Sequence, residues 1–140
     1  MKLIRSIANR TTFTAAVTVW LTAAGCGLRA GGISIPADMA KTWLTDTGRQ
    51  VYLLDVRGSG EVAQGTIPGA DGIASYWDWP GSFRALGTPP RKDQTIIVYC
   101  ARGIRSALAT RWLRRQGYTE AYNLAGGVHA WTEAGGAIQR

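Results

Sequence analysis

The sequence predicts a single α/β domain with a mostly parallel central sheet and helices on both faces. Three observations predict it. First, short apolar runs at 51–54 (Val-Tyr-Leu-Leu), 95–99 (Thr-Ile-Ile-Val-Tyr) and 121–124 (Ala-Tyr-Asn-Leu) alternate with segments of helical periodicity. Second, the 95–99 run is β-branched and only five residues long, which suits a strand buried on both faces. Third, polar and reactive residues follow the first two runs directly, Asp55 and Arg57 after one and Cys100 after the other. Open α/β folds place their sites at that carboxyl edge of the sheet. With 140 residues the chain has room for one domain with a real core and not for two.

Taken in order, residues 33–35 are expected to pair at a sheet edge. Pro36 opens a helix over 37–47, at a first-turn position where proline is tolerated, and Asp38 complements the helix dipole. Met39, Trp43 and Leu44 recur at helical spacing and are expected in the core, with Gly48 ending the helix. After strand 51–54, residues 58–60 read as loop and 61–64 as one helical turn. Gly and Pro dictate a turn at 65–70, and Ile73 marks a short strand. Segment 75–91 holds Trp77, Trp79, Phe83 and three prolines, and reads as an irregular loop with one helical turn at 81–86. Its aromatics either cover the core or line a rim near Cys100, and core cover is favoured. A helix over 106–116 carries Ala107, Leu108, Ala109, Trp112 and Leu113 as its apolar set, and Gly117 suits its C-terminus. Gly126 and Gly127 make a turn before a last helix over 128–134. His129, the only histidine, is expected on that helix's surface, neither a metal ligand nor a catalytic base.

Composition, with 46% hydrophobic and 18% charged residues, is that of a globular protein. Of the net charge of +7, three units come from Lys2, Arg5 and Arg10, which leaves +4 for the rest of the chain. That surplus forms no dense Lys/Arg stripe, so nucleic acid is not an expected partner.

Residues 1–26 read as an export signal. A basic start without acids leads into an uncharged stretch over 11–25, too short and too threonine-rich to span a membrane. Leu21-Thr22-Ala23-Ala24-Gly25-Cys26 resembles a bacterial lipoprotein signal, which implies that Cys26 is acylated and becomes the first mature residue. The alternative is ordinary cleavage near Gly25. On the favoured reading the protein is periplasmic or cell-envelope and lipid-anchored, residues 27–32 are a tether and 33–136 form the domain. Export would ordinarily suggest a disulfide. Cys26 and Cys100 are the only possible pair, and none is expected between them, because it would silence Cys100.

Cys100-Ala101-Arg102-Gly103-Ile104-Arg105-Ser106 is the stretch on which function is expected to turn. A lone cysteine is usually a small buried core residue. This one leaves a buried strand for a loop that feeds a helix N-terminus, where unpaired N–H groups and the macrodipole favour an anion. Gly103 supplies the positive φ that such a tight loop needs. The setting favours the thiolate, and Arg102 and Arg105 are expected to push the same way.

These pieces together resemble the rhodanese, or sulfurtransferase, domain over about residues 33–134. Leu54-Asp55-Val56-Arg57 is similar to its first signature, and Glu61 with Gly65-Thr66-Ile67-Pro68-Gly69-Ala70 to its second. Cys100 to Ser106 is similar to its active-site loop, and Leu124-Ala125-Gly126-Gly127 with Ala130-Trp131 to its closing signature. Thr66 stands where the family commonly has His, read as a packing variation. With the export signal, the nearest resemblance is to small single-domain periplasmic rhodaneses of the phage-shock type.

The resemblance implies a persulfide enzyme. Cys100 would take a sulfane sulfur from thiosulfate or a similar anionic donor and pass it to cyanide or a thiol, with no cofactor and no metal. Backbone N–H groups of Ala101, Arg102, Gly103, Ile104, Arg105 and Ser106 would cradle the sulfur. Arg102 is expected to contact the donor; Arg105 either does the same or pairs with Asp55 to hold the loop. Asp55 and Arg57 are expected to be architectural. The six-residue span from Cys100 to Arg105 matches the sulfur-transferring members, whereas related cysteine phosphatases carry one residue more. A persulfide carrier or binding module serving a partner protein is the other class of reading.

Overall fold

The computed structural model describes residues 33–140, so the expectations for the export signal, Cys26 and any pairing of Cys26 with Cys100 lie outside the described residues. Five strands, β1 (Ser34–Ile35), β2 (Val51–Asp55), β3 (Gly72–Ile73), β4 (Thr95–Tyr99) and β5 (Ala121–Leu124), form one sheet in the order β1-β5-β4-β2-β3. Every neighbouring pair is parallel. β2 and β4 lie at the centre, in register from Val51 opposite Thr95 to Asp55 opposite Tyr99.

Side chains alternate between the faces of a strand, so the uniformly apolar central strands feed two cores. Tyr52, Leu54, Ile96 and Val98 point to one face. There they meet Ala109 and Leu113 of helix α4 (Ile104–Arg115) and Phe83 of helix α3 (Gly81–Arg84). Leu53, Ile97 and Tyr99 point to the other, against Ala37 and Ala40 of helix α1 (Ala37–Thr45) and Trp131 of helix α5 (Gly127–Glu133). α4 buries Ser106, Ala109, Thr110 and Leu113, the i, i+3, i+4, i+7 stripe of a helix lying on a sheet. It starts two residues before the expected boundary, and Leu108 faces solvent with Ile104.

Other expectations change in detail. α1 ends at Thr45 with Asp46 as its cap, not at Gly48, and Pro36 precedes the helix as its N-cap. Met39 is exposed. The short alanines Ala37 and Ala40 let α1 lie close to the sheet, while Trp43 and Leu44 pack at the margin. A one-turn helix α2 (Ser59–Val62) lies within 58–64, and a 3-10 turn (Tyr76–Asp78) precedes α3. Past α5, beyond the expected domain end at residue 136, the chain is still held. The Trp131 indole donates to the Ala137 carbonyl (2.8 Å), and Thr66 and Gln139 exchange two backbone hydrogen bonds of 2.8 Å. Thr66, the departure from the family pattern, thus anchors the tail through its backbone.

At the carboxyl edge of β2, the fully buried Asp55 carboxylate takes three contacts from the Arg57 guanidinium, at 2.7, 3.0 and 3.1 Å. Arg57 spends another N–H on the Gly65 carbonyl (2.7 Å) and stacks over the Tyr99 ring. The pair therefore ties β2, β4 and the segment after α2 together, the architectural role expected of it. Removing one member leaves the other charged and buried. Asp55→Ala should cost about 3–5 kcal/mol in urea unfolding; a cost below about 1 kcal/mol would show that the pair fixes nothing.

Candidate functional site

Cys100 is the first residue past β4 and continues the parity of Ile96 and Val98, which places its sulfur on the α4 side of the sheet. Only 1% of the residue is exposed. The chain then turns through Ala101 and Arg102 to Gly103, whose φ of +87° lies in the left-handed region, before α4 begins at Ile104. A second element presses on the back of this loop. Val128 and His129 donate their N–H groups to the carbonyls of Cys100 (2.9 Å) and Ala101 (3.1 Å). At Gly127 a Cβ would lie 2.2 Å from the Cys100 oxygen, so only glycine allows the contact.

With those carbonyls held outward, N–H groups face the sulfur. Gly103 N–H donates to Cys100 Sγ at 3.1 Å and the buried Ser106 hydroxyl at 3.3 Å. Burial pushes the thiol pKa up. The hydrogen bonds, led by the Ser106 hydroxyl and followed by the backbone N–H groups of Ser106, Arg102 and Gly103, outweigh it and hold the thiol below its ordinary value. This arrangement can keep a sulfur anion without water.

The remaining expected site residues divide. Ala101 is half-buried and Arg102 is exposed at the loop's edge, while Ile104 is 72% exposed and turned away from the core. Arg105 does not pair with Asp55, which is sealed beneath and occupied by Arg57. It forms a two-pronged ion pair with Glu61, with both N···O distances at 2.7 Å. The Arg105 guanidinium holds the Glu61 carboxyl below the usual carboxylate range, and Glu61 also receives the Gly58 N–H. Glu61 was legible as a member of a one-turn helix, but its reach to a residue 44 positions on was not.

The aromatic segment splits as well. Trp79 and Phe83 stack with Trp112 and cover the core, as favoured. Trp77 instead is 72% exposed, with the Arg105 guanidinium 5.7 Å from its ring centroid, and so lines the rim. His129 lies on exposed α5 surface beside Glu133, as expected.

Comparison with known proteins gives consistent matches. The chain is 38% identical over 92 residues to a sulfurtransferase of Allochromatium vinosum, covering 66% of this chain and 80% of that protein. It is 38% identical over 90 residues to human thiosulfate:glutathione sulfurtransferase, covering 58% and 78%. Similarity to the tRNA uridine(34) hydroxylase of Xylella fastidiosa, 33% over 115 residues, spans 76% of this chain but only 42% of that longer protein. Among solved structures, a rhodanese-like domain protein from Staphylococcus aureus superposes with a TM-score of 0.63 at 32% identity, over 77% of this chain and 99% of that one. Residues 37–134 match the rhodanese-like domain family over most of the described structure, and the chain belongs to that family.

Proposed function

We propose that the protein is a sulfurtransferase working through a persulfide on Cys100, with thiosulfate or a similar anion as donor and a thiol or cyanide as acceptor. The observation that carries this reading is the buried Cys100 sulfur held by the Gly103 N–H and the Ser106 hydroxyl. In the first step the Cys100 thiolate attacks the outer sulfur of thiosulfate. A Cys100 S–S bond forms, the donor's S–S bond breaks, and sulfite leaves with the electron pair. In the second step an acceptor thiolate attacks the outer persulfide sulfur. That sulfur departs on the acceptor, and the electron pair of the broken bond returns to Cys100. Two half-reactions through a covalent intermediate give ping-pong kinetics.

The loop's fixed donors serve both steps, because each begins or ends with negative charge on Cys100 Sγ. Arg102, exposed beside the loop, is the guanidinium available to the incoming donor. Arg105 is committed to Glu61 and holds the loop rim to α2, with Asp55 and Arg57 bracing it from below. The carrier reading, with transfer only to a partner protein, draws support from the exposed Trp77, Ile104 and Leu108 beside the loop. The name of the human relative, a thiosulfate:glutathione sulfurtransferase, favours turnover with small substrates.

The exported, lipid-anchored location remains part of the proposal, on the strength of the basic start and the small-residue run before Cys26. So does a place among small periplasmic rhodaneses of the phage-shock type. Intact-mass analysis of membrane-extracted protein should show a chain beginning at Cys26 with added acyl mass. An unmodified Cys26 terminus, or an uncleaved chain, removes the anchor.

In a thiosulfate:cyanide assay the wild type should turn over, and Cys100→Ser should lose activity to background together with the 32 Da persulfide adduct seen by mass spectrometry, about one sulfur atom. A wild type that carries the adduct without turnover would favour the carrier. The depressed thiol pKa has a definite sign in kinetics. Activity should rise with pH as the thiolate forms, with its midpoint below that of a free thiol. Ser106→Ala removes the hydroxyl hydrogen bond to the anion, so it should move that midpoint to higher pH; an unmoved midpoint would show that Ser106 does not set it.

A further inference from the structure

Helix α4 has two opposite faces. Ser106, Ala109, Thr110 and Leu113 are buried on the sheet, whereas Ile104, Leu108, Arg111 and Arg115 recur at i, i+4, i+7 and i+11 on the face turned away. That outer stripe runs the length of the helix, about 16 Å. It is graded. The end that springs from the Cys100 loop is apolar, with Ile104 and Leu108 exposed, and the far end is cationic. From the neighbouring 3-10 turn the exposed Trp77 stands beside the apolar end, over the Arg105 guanidinium.

The fold itself makes little use of this face. α4 carries four arginines and no acid. Arg105 is taken by Glu61, and Arg114 donates to the Ala121 carbonyl (3.0 Å), so both have structural duties. Arg111 and Arg115 make no ion pair among the described residues, nor does Arg102 at the head of the helix. Arg115 in the last turn complements the helix dipole, but Arg111 sits mid-helix, where the dipole gives it nothing. Its Nε is buried without a hydrogen-bond partner, so the side chain is held against the protein at a cost, with its charge unanswered. Of the acids in α2 and the 3-10 turn, Glu61 is paired and Asp78 is exposed, which leaves the face positive as a whole.

Exposed aromatic and aliphatic side chains bordered by arginine have the composition of a protein interface. The unanswered charge sets the sign of the partner, and like charge disfavours a second copy of this chain. The apolar end adjoins the loop that holds the nucleophile. A protein docked there can present a reacting group to the sulfur, and a lipid bilayer has none to present.

We propose that the outer face of α4, together with Trp77, docks an acidic protein surface with an apolar centre, and that the docked protein lies over the Cys100 loop. The inference goes beyond the sulfurtransferase reading, because docking needs no turnover and decides which protein surfaces can reach the site.

The probe is a fluorescein-labelled peptide of glutamate, leucine and alanine, with a counterpart carrying glutamine for glutamate, titrated into the full chain and read by anisotropy. The acidic peptide should bind about tenfold more tightly than the neutral one, with the gap narrowing as salt rises. Arg111→Glu and Arg115→Glu should each weaken its binding about fivefold and Leu108→Ser about threefold, in variants whose circular dichroism matches the wild type. Arg49→Glu makes the same charge change over Trp43 on the other side of the sheet, and should weaken binding less than about twofold. Saturating acidic peptide should slow alkylation of Cys100 by iodoacetamide, and Arg115→Glu should restore the rate. Equal binding of both peptides, an equal loss in Arg49→Glu, or an unchanged alkylation rate overturns the proposal. So does a peptide that fails to bind while phosphatidylglycerol vesicles protect Cys100, which would make this a membrane face. Absence of wild-type turnover with the binding pattern intact would reject the enzyme reading and keep the surface.

Discussion

The contact on which the site depends is the one between the Cys100 loop and the turn at Gly126–Gly127. A loop of four residues between a buried strand and a helix has few ways to satisfy its carbonyls. Here two of them point away from the sulfur and are taken by the first N–H groups after Gly127. The left-handed Gly103 backs onto the same turn, where its Cβ would lie 2.8 Å from the Gly126 nitrogen. Backbone meets backbone on both sides, so neither wall can yield by a side-chain rotation. Once the carbonyls are fixed outward, the N–H groups have only the sulfur to face. The backbone share of the lowered Cys100 thiol pKa is therefore a consequence of packing between the ends of β4 and β5, and the Ser106 hydroxyl of α4 adds the leading hydrogen bond.

The arginines around the loop divide the remaining work by burial. Arg57, next to a fully buried carboxylate, is part of the fold and ties the central strands to the chain after α2. Arg105, with 19% of its side chain exposed and paired with Glu61, links the first turn of α4 to α2. Its charge is already answered, so it adds less field at the sulfur than its position in the loop suggests. Arg102, exposed at the loop's edge, makes no ion pair among the described residues.

Much of this was legible in the chain. β2, β4 and β5 show as short apolar runs, and their parity, followed one step past Tyr99, already assigns Cys100 to the face of Ile96 and Val98. Gly103 and the strand–Cys–loop–helix order announce the anion cradle. What stayed hidden depends on distances that local pattern does not encode. Helical spacing puts Met39 and Leu108 with the apolar set, but the close approach of Ala37 and Ala40 leaves the first outside, and α4 turns the second to solvent. The Arg105–Glu61 pair joins residues far apart in sequence, and Asp55 looked equally available until Arg57 filled it. Trp77 and Trp79 are two residues apart and alike in composition; the 3-10 turn that contains Trp77 and ends before Trp79 sends one to the rim and the other to the core. The tail shows no periodicity at all, and its place is set by backbone pairing with Thr66.

Burial of the nucleophile also separates the two substrates of the proposed reaction. With Cys100 1% exposed, a donor must bring its sulfane sulfur down to the loop, where fixed N–H groups meet it. After transfer the reactive atom is the outer sulfur, displaced from Sγ by one S–S bond of about 2 Å. That displacement moves the electrophile toward the loop's edge. In the proposed reaction the acceptor therefore meets the protein at the rim, among the exposed Trp77, Ile104 and Arg102, and never has to enter the cradle. Selection of the donor falls to backbone geometry that any intact loop of this kind would share. Selection of the acceptor falls to the rim, where this chain's own aromatic segment presents Trp77 beside Arg105.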